Sequence, residues 1–174
     1  MIKETLKLRL EENHKSFLNY INSLPDEMFV KSKFEKWTAG QQLEHIYLSV
    51  KPVRQALSLP GFILSVLWGK ANRKSRNFDE LVTRYLDKLS NGGKAPGRFI
   101  PAKAGLEKRL KLTSLLAKEI LKLNSKIDRF SESELDEFVI PHPLLGKLTV
   151  REMLYFTIYH VEHHQKAVRE ICEP

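Results

Sequence analysis

Apolar residues recur along the N-terminal part of the chain at the spacing of an amphipathic helix. Steps of three, four and seven residues place side chains on one face of a helix, and Pro25 prevents its continuation. The pattern predicts a helix over about residues 2–23. His14 lies in the same stripe, where we expect a core or rim histidine that is hydrogen-bonded to a neighbour. The apolar positions are Leu6, Leu10, Phe17, Ile21 and Leu24.

A second amphipathic segment starts at Thr38. Thr38 and Gln41 have the T-x-x-Q spacing of a capping box, in which each side chain accepts a hydrogen bond from the backbone N–H of the other residue. His45 lies beside the apolar stripe, about two turns into this helix. Pro52 is expected to kink or divide the helix, because proline lacks the N–H donor and clashes with the preceding turn.

Shorter helical signals follow this second helix. The apolar run from Phe62 to Trp68 predicts one or two buried helical turns. Asn77 and Glu80 have capping-box spacing and predict the start of a further helix. The glycines and prolines of residues 91–103 predict a loop that is long for a compact protein, and such loops are often functional.

Two more helices complete the pattern. One is predicted over about residues 104–127, with Leu110 on its apolar side. The last helix opens with the capping-box pair Thr149 and Glu152 and extends to about Ile171. It carries three of the chain's six histidines.

The elements together predict an all-α fold, a four-helix bundle with short extra helices. The sequence FVIPHPLLGKL at residues 138–148 predicts an extended or turn-like connection into the last helix. No repeat or Ser/Gly-rich linker divides the chain, so we expect a single domain over residues 1–174. The long connections permit crossovers between the helices.

The composition indicates a globular protein, with 42% hydrophobic and 29% charged residues. No apolar run approaches the ~20 residues needed to cross a bilayer, and the charged N-terminal sequence lacks the apolar centre of a secretory signal. The single cysteine, Cys172, excludes an intrachain disulfide and fits a reducing compartment. We therefore expect a cytoplasmic protein without a membrane span.

The formal net charge of +8 favours anionic partners such as nucleic acid, anionic lipid or an anionic small molecule. However, no basic motif interleaved with aromatic residues, of the kind that stacks bases, accompanies this charge. An ordinary basic surface is therefore the preferred interpretation, and nucleic acid is the least favoured partner.

The histidines of the last helix suggest a metal site. His160 and His164 are four residues apart and lie one above the other on the apolar side of the helix, whereas His163 points roughly 100° away from His164. Two neutral imidazoles at this spacing can bind one divalent ion. Ordinary rim histidines are the alternative, because H-x₃-H spacing alone is common. Val161 follows His160, so the H-E-x-x-H signature of zinc proteases is absent.

A third ligand has to come from another helix, and His45 is the best placed histidine. Three protein ligands leave a coordination position open, as in catalytic zinc sites, whereas structural zinc sites are usually closed by four. Imidazole-rich sites accept several divalent ions. We therefore expect Zn²⁺ or Ni²⁺ at His45, His160 and His164.

Three stretches of the chain together resemble a known family. They are WTAGQQLEH at residues 37–45, HPLLGKLTVRE at 142–152 and HVEHHQ at 160–165. In their order and spacing the chain resembles the DinB-like superfamily, which includes bacillithiol transferases and mycothiol-dependent maleylpyruvate isomerase. The resemblance covers nearly the whole chain, including the loop KAPGRFIP at residues 94–101.

The resemblance implies a four-helix bundle with down-up-up-down connections. It also implies a divalent metal on one histidine of the second helix and two of the last, which correspond to His45, His160 and His164. In characterised relatives the metal activates a low-molecular-weight thiol or a water molecule. Many relatives are homodimers.

We therefore expect a metal-dependent thiol S-transferase or hydrolase that acts on a small molecule. A non-catalytic, stress-related metal-binding protein is the alternative, and a nucleic-acid-binding module ranks third. Trp37 is expected to pack just before the capped helix or to form a wall of the pocket. His142 is expected either to face the metal site or substrate, or to be a turn histidine with a backbone partner.

Overall fold

The computed structural model describes residues 1–33, 36–103 and 105–172. Most of these residues are helical. The helices are α1 (Lys3–Ser23), α2 (Asp26–Val30), α3 (Ala39–Leu57), α4 (Gly61–Trp68), α5 (Phe78–Ser90), α6 (Arg109–Ile127), α7 (Glu132–Glu137) and α8 (Val150–Cys172). Two short 3₁₀ turns, Gly97–Phe99 and Leu106–Lys108, and two strands, β1 (Val139–His142) and β2 (Gly146–Thr149), complete the elements.

The four long helices form a ring in which each contacts two neighbours. α1 packs against α6 and α8, and α3 packs against the same two helices. The Met1 amino group donates to the Tyr155 hydroxyl at 3.0 Å, and Asn13 donates to the Ile158 carbonyl at 3.3 Å, so α1 and α8 are parallel. Arg109, at the start of α6, donates to the Leu24 carbonyl just after α1 at 2.7 Å, so α6 is antiparallel to α1.

The direction of α3 follows from its contacts with α6. Arg54 donates to Glu119 at 2.8 Å, and Arg129 donates to the Ser58 carbonyl at 3.1 Å, so α3 and α6 run in the same direction. The long helices therefore follow the order down, up, up, down along the chain. α3 and α8 lie side by side and antiparallel, and this pair carries the histidines discussed below.

The apolar stripe predicted for α1 is confirmed. Leu6, Leu10, Phe17 and Ile21 are fully buried in the core between the helices. His14 is buried with them, and its Nδ1–H donates to the Leu10 carbonyl at 2.7 Å. This matches the expectation of a core histidine with a local partner.

The predicted capping boxes also form. Both hydrogen bonds of the box are present between Thr38 and Gln41 at the start of α3, and between Asn77 and Glu80 at the start of α5. At the start of α8, the Thr149 N–H donates to a Glu152 carboxylate oxygen at 3.0 Å, and the Glu152 N–H donates to Thr149 Oγ1 at 3.2 Å. Side-chain caps therefore fix where these helices begin.

The all-α prediction overlooked a small antiparallel hairpin. β1 pairs with β2 so that Ile140 lies opposite Leu148 and both side chains are buried. Gly146 begins β2 with φ of +77°, a left-handed conformation that glycine adopts without strain. The connection was correctly predicted as extended or turn-like. Each strand has only four residues, and β1 contains Pro141, so the alternation of apolar and polar residues is too short to predict that the strands pair.

The structure contradicts two helix predictions and narrows a third. α3 continues through Pro52 to Leu57 as one helix, so of the kink and the division expected at this proline, the division is excluded. The apolar run from Phe62 to Trp68 forms helix α4, as predicted, but most of its side chains are not buried. Val66 is 80% exposed, and Leu64 is the one buried residue of this helix. Leu110 of α6 is also 80% exposed.

The error at Leu110 is one of helix face. Leu110 lies within α6, two residues before Leu112, and two steps of about 100° place it on nearly the opposite side of the helix. The core side of α6 instead carries Leu112, Leu116 and Leu123. The predicted helix start at residue 104 lies outside the described residues.

Among the described helices, none combines the length and apolar character needed to span a bilayer.

Candidate metal centre

Three histidine rings meet in the interior between α3 and α8. His160 Nε2 lies 3.3 Å from His45 Nε2 and 3.0 Å from His164 Nε2. The three residues are each 7% exposed or less. Capped α3 supplies His45 in its second turn, and α8 supplies the other two on one face, one turn apart.

The separation of the nitrogens fits a common ion. Imidazole nitrogens bound tetrahedrally to zinc at about 2.0–2.1 Å lie about 3.3 Å from one another. The two Nε2–Nε2 distances at His160 are close to this value, and one ligand atom from each residue lies within 4.8 Å of the others. The buried cluster of His45, His160 and His164 can therefore hold a metal ion.

The opposite ring nitrogens of two of these histidines are tied to acceptors. His45 Nδ1–H donates to the Phe99 carbonyl at 2.7 Å, and His164 Nδ1–H donates to the Gln42 side-chain oxygen. A neutral imidazole has one N–H, so these bonds leave the Nε2 lone pairs of both rings free to bind an ion. The acceptors also fix the ring orientations.

Burial keeps the three imidazoles in the form that binds metal. Removal from water lowers the pKa of His45, against the opposing effect of its hydrogen bond to Phe99. Burial lowers the pKa values of His160 and His164 well below the ordinary histidine value, and the neighbouring imidazoles lower them further. Neutral rings at physiological pH present lone pairs rather than protons to a cation.

Aromatic rings enclose the cluster. The Trp37 ring centroid lies 4.9 Å from that of His45 and 6.3 Å from that of His164, nearly parallel to the latter. On another side, the Phe156 ring stacks on His160 at 4.6 Å. Trp37 therefore covers the histidines themselves rather than the cavity described next.

A cavity of about 420 Å³ opens beside the cluster. His45 and His160 form part of its wall, so two of the three rings border this space. Most of the remaining wall is apolar, including Val53, Met153 and Phe156. The predicted long loop closes one side through its residues 94–99.

The charged groups of the cavity wall are all basic. Lys94 and Arg98 are both exposed side chains of the loop, and no described lining residue carries a carboxylate. Arg98 also packs on the Phe99 ring, with its guanidinium carbon 4.8 Å from the ring centroid. The mouth of the cavity is therefore electropositive.

His142 fits the second of its two expected roles, that of a turn histidine with backbone partners. Its Nδ1 accepts backbone N–H groups from Leu144 at 3.2 Å and Leu145 at 3.0 Å, so it is a turn histidine with backbone partners. It also lines the cavity. Burial lowers the pKa of His142 to about 4, so it is neutral at physiological pH.

Sequence reasoning missed the groups that orient the ligands. Gln42 lies one helical turn before His45, so its position on the same face of α3 was a usable signal. The Phe99 carbonyl had no sequence signal, because any residue offers a backbone oxygen. Which carbonyl meets His45 depends on the path of a long loop.

Fold and site together define a helical-bundle protein with a buried three-histidine cluster that can bind a metal ion beside a cavity. Residues 9–168 match the family model of the DinB superfamily, and the chain belongs to that superfamily. No curated protein matches the chain at a significant level.

Proposed function

We propose that this protein is a metal-dependent enzyme that uses an external low-molecular-weight thiol or water to transform a small molecule. His45, His160 and His164 would hold zinc or nickel as a divalent ion. The observation that carries the proposal is that two of the three imidazoles border a cavity. Its volume of about 420 Å³ lies in the range of small-molecule sites, roughly 300–1,000 Å³.

The ion would act as a Lewis acid and lower the pKa of a thiol or water bound to it. The chain's own residues prepare the site for that chemistry. Gln42 and the Phe99 carbonyl hold two rings in the required tautomer and orientation. The apolar wall excludes bulk water, which strengthens electrostatic interactions inside the cavity.

The electropositive mouth favours an anionic reactant. Lys94 and Arg98 border the opening, and the described wall has no opposing carboxylate. Such a field raises the local concentration of anions and their association rate. We therefore expect the thiol or the substrate to carry a negative charge distant from its reacting atom.

The cavity favours catalysis over the alternative of a non-catalytic metal-binding protein. A purely structural zinc site is usually closed by four protein ligands. Here three histidines form the cluster, and two of them lie at the surface of a substrate-sized space. An exchangeable ligand can reach an ion on that side.

The first experiment is elemental analysis of the protein, prepared without a polyhistidine tag or nickel column, followed by a screen of thiol cofactors with electrophilic substrates. We expect close to one divalent ion per chain in the wild type and very little in His160→Ala. His163→Ala is the matched control and should retain the ion, since this half-buried residue on the same helix lies outside the cluster.

The results separate the candidate functions. Loss of both metal and turnover in His160→Ala supports the enzyme. Metal binding without turnover across the thiol and water reactions favours the non-catalytic alternative. Equal metal content in wild type and His160→Ala would contradict both.

A further inference from the structure

His142 has one ring nitrogen that is fully occupied by its own turn. The residue ends β1, and its Nδ1 accepts N–H groups from both Leu144 and Leu145. A nitrogen that accepts two donors carries no proton of its own. A neutral imidazole has a single N–H, so the proton of His142 lies on Nε2.

The Nε2–H group of His142 has no acceptor within the described part of the chain. Its ring contacts the Phe156 ring edge-on, with centroids 4.2 Å apart, and its neighbours in the cavity wall include Ile140, Pro141 and Pro143. His142 is half-buried, and its Nε2 is not among the fully buried atoms that lack a partner, so solvent can reach this donor. Because His142 lines the cavity, a ligand there could supply an acceptor in place of water.

This donor lies close to the proposed metal site. The Phe156 ring contacts both, meeting the His142 ring edge-on and stacking on His160 at 4.6 Å. His142 and His160 both border the same cavity. One small molecule can therefore reach an ion at the histidine cluster and the His142 donor together.

The turn also determines what His142 cannot do. Its only lone pair on a ring nitrogen is on Nδ1 and is engaged by two backbone N–H groups. Accepting a proton from a substrate would require both bonds to break. His142 is thus a fixed donor rather than a general base.

We propose that His142 is a specificity-determining residue whose Nε2–H binds a carbonyl-type oxygen of the molecule that coordinates the ion. This inference rests on the proposed function. It defines the ligand class as small molecules with a thiol at one end and an ester, amide or ketone oxygen a few bonds away. A purely hydrocarbon thiol would leave the donor unpaired.

The test uses full-length protein loaded with Co²⁺, because thiolate binding to cobalt produces a charge-transfer absorption band. The two probes are the methyl ester of 3-mercaptopropionic acid and 3-methylpentane-1-thiol, an alkanethiol of similar shape in which a methyl group replaces the carbonyl oxygen and a CH₂ group replaces the ester oxygen. Each is titrated into wild type, His142→Asn and His142→Gln. Comparing the two probes across the variants isolates the hydrogen bond.

The two variants separate the two roles of the His142 ring, which are to accept the N–H groups of the turn and to donate a hydrogen bond to a ligand. Asparagine can offer its side-chain oxygen to the turn N–H groups but is too short to place a donor where Nε2 lies. Glutamine can place an amide N–H near that position. We expect His142→Asn to weaken binding of the ester thiol about fivefold while changing the alkanethiol less than about twofold, the size of one neutral hydrogen bond. His142→Gln should retain part of the preference.

Equal weakening of both thiols in His142→Asn would show a merely structural role and overturn the inference. Unchanged ester affinity in both variants would also overturn it. Absence of a cobalt–thiolate band with either probe in wild type would overturn the proposed thiol chemistry, and the inference with it.

Discussion

At Gln42, a single side-chain oxygen determines which nitrogen of His164 faces the cluster. It accepts the Nδ1–H of that ring and so leaves Nε2 as the lone pair. Gln42 is itself 5% exposed, and the surrounding helices hold its amide in place. Metal affinity should therefore depend on a residue that does not touch the ion.

We predict that Gln42→Leu lowers zinc affinity about 10- to 100-fold, as expected when the partner of a metal-binding histidine is lost. Chelator competition measures the change. Gln55→Leu is the matched control, because Gln55 is an exposed glutamine near the other end of α3. Equal affinities for wild type and Gln42→Leu would show that packing alone orients His164.

His14 shows what an isolated buried imidazole does to stability. Burial lowers the pKa of His14 to about 4, and its Nε2 has no hydrogen-bond partner among the described residues. Between that value and about 6.5, the unfolded chain therefore binds a proton that the folded protein does not. Folding stability falls as the pH decreases through this interval.

The free energy of unfolding of the wild type falls between pH 7.5 and pH 5. We predict that this fall is about 2 kcal/mol smaller in His14→Leu, because leucine cannot bind a proton. Urea unfolding at the two pH values measures the difference. Leucine also fills the position without a buried polar atom, so stability at pH 7.5 should not fall by more than about 1 kcal/mol. Identical pH dependence in the two proteins would indicate that His14 binds its proton equally well in the folded and unfolded states.

The three clustered histidines were predictable because the sequence itself shows the position of a residue within a helix. His160 and His164 share a face through their spacing, and the cap at Thr38 fixes the phase of His45. The partners of those ligands were harder to predict. Their roles depend on which backbone oxygen or amide the tertiary fold brings to a given ring.

At the scale of elements, several hydrogen bonds to one carboxylate, that of Glu152, hold the start of α8 in place. Arg73, in the segment between α4 and α5, donates to both oxygens of Glu152 at 2.6 and 2.7 Å. The Arg76 backbone N–H donates at 2.8 Å, in addition to the capping bond from Thr149. Burial raises the pKa of the Glu152 carboxyl, but these donors outweigh it and hold the pKa below its usual value.

We predict that Glu152→Ala destabilises the protein by about 3 kcal/mol, because it removes a fully buried carboxylate with several charged hydrogen bonds. Glu80→Ala is the matched control. Glu80 holds the same capping-box position in α5 but is exposed, so its loss should cost only about 1 kcal/mol. Denaturant unfolding compares the two, and equal losses would contradict a stabilising role for the arginine contacts.

At the scale of the whole molecule, the long helices were predictable and the short hairpin was not. Repeated apolar spacing defines α1, and apolar spacing together with three correctly placed caps defines α3, α5 and α8. The exposed apolar side chains of α4 show what apolar spacing does not predict, namely whether a helix is buried. Hydrophobic spacing predicts that a segment is helical, but burial depends on whether another element covers it.

The proposed ion would join two helices that are distant in sequence. His45 comes from α3 and the other ligands from α8, and the folded state is the only one in which the three rings meet. Binding to the folded state alone stabilises it by about 2.7 kcal/mol at a free ion concentration of about 100 times Kd.

We predict that Zn²⁺ raises the unfolding free energy of wild type and His163→Ala by this amount, and that the gain is lost in His45→Ala. Chemical denaturation with and without a chelator measures it. Similar stabilisation of His45→Ala would place the ion elsewhere on the protein.

The two pairs of long helices contribute differently to the histidine cluster. All three histidines come from α3 and α8, and none comes from α1 or α6. Substitutions at the contacts between α1 and α6 can therefore change thermal stability or surface chemistry while the histidine cluster stays the same. In a bundle arranged in this way, the stability of the helix packing and the properties of the histidine cluster can change separately in evolution.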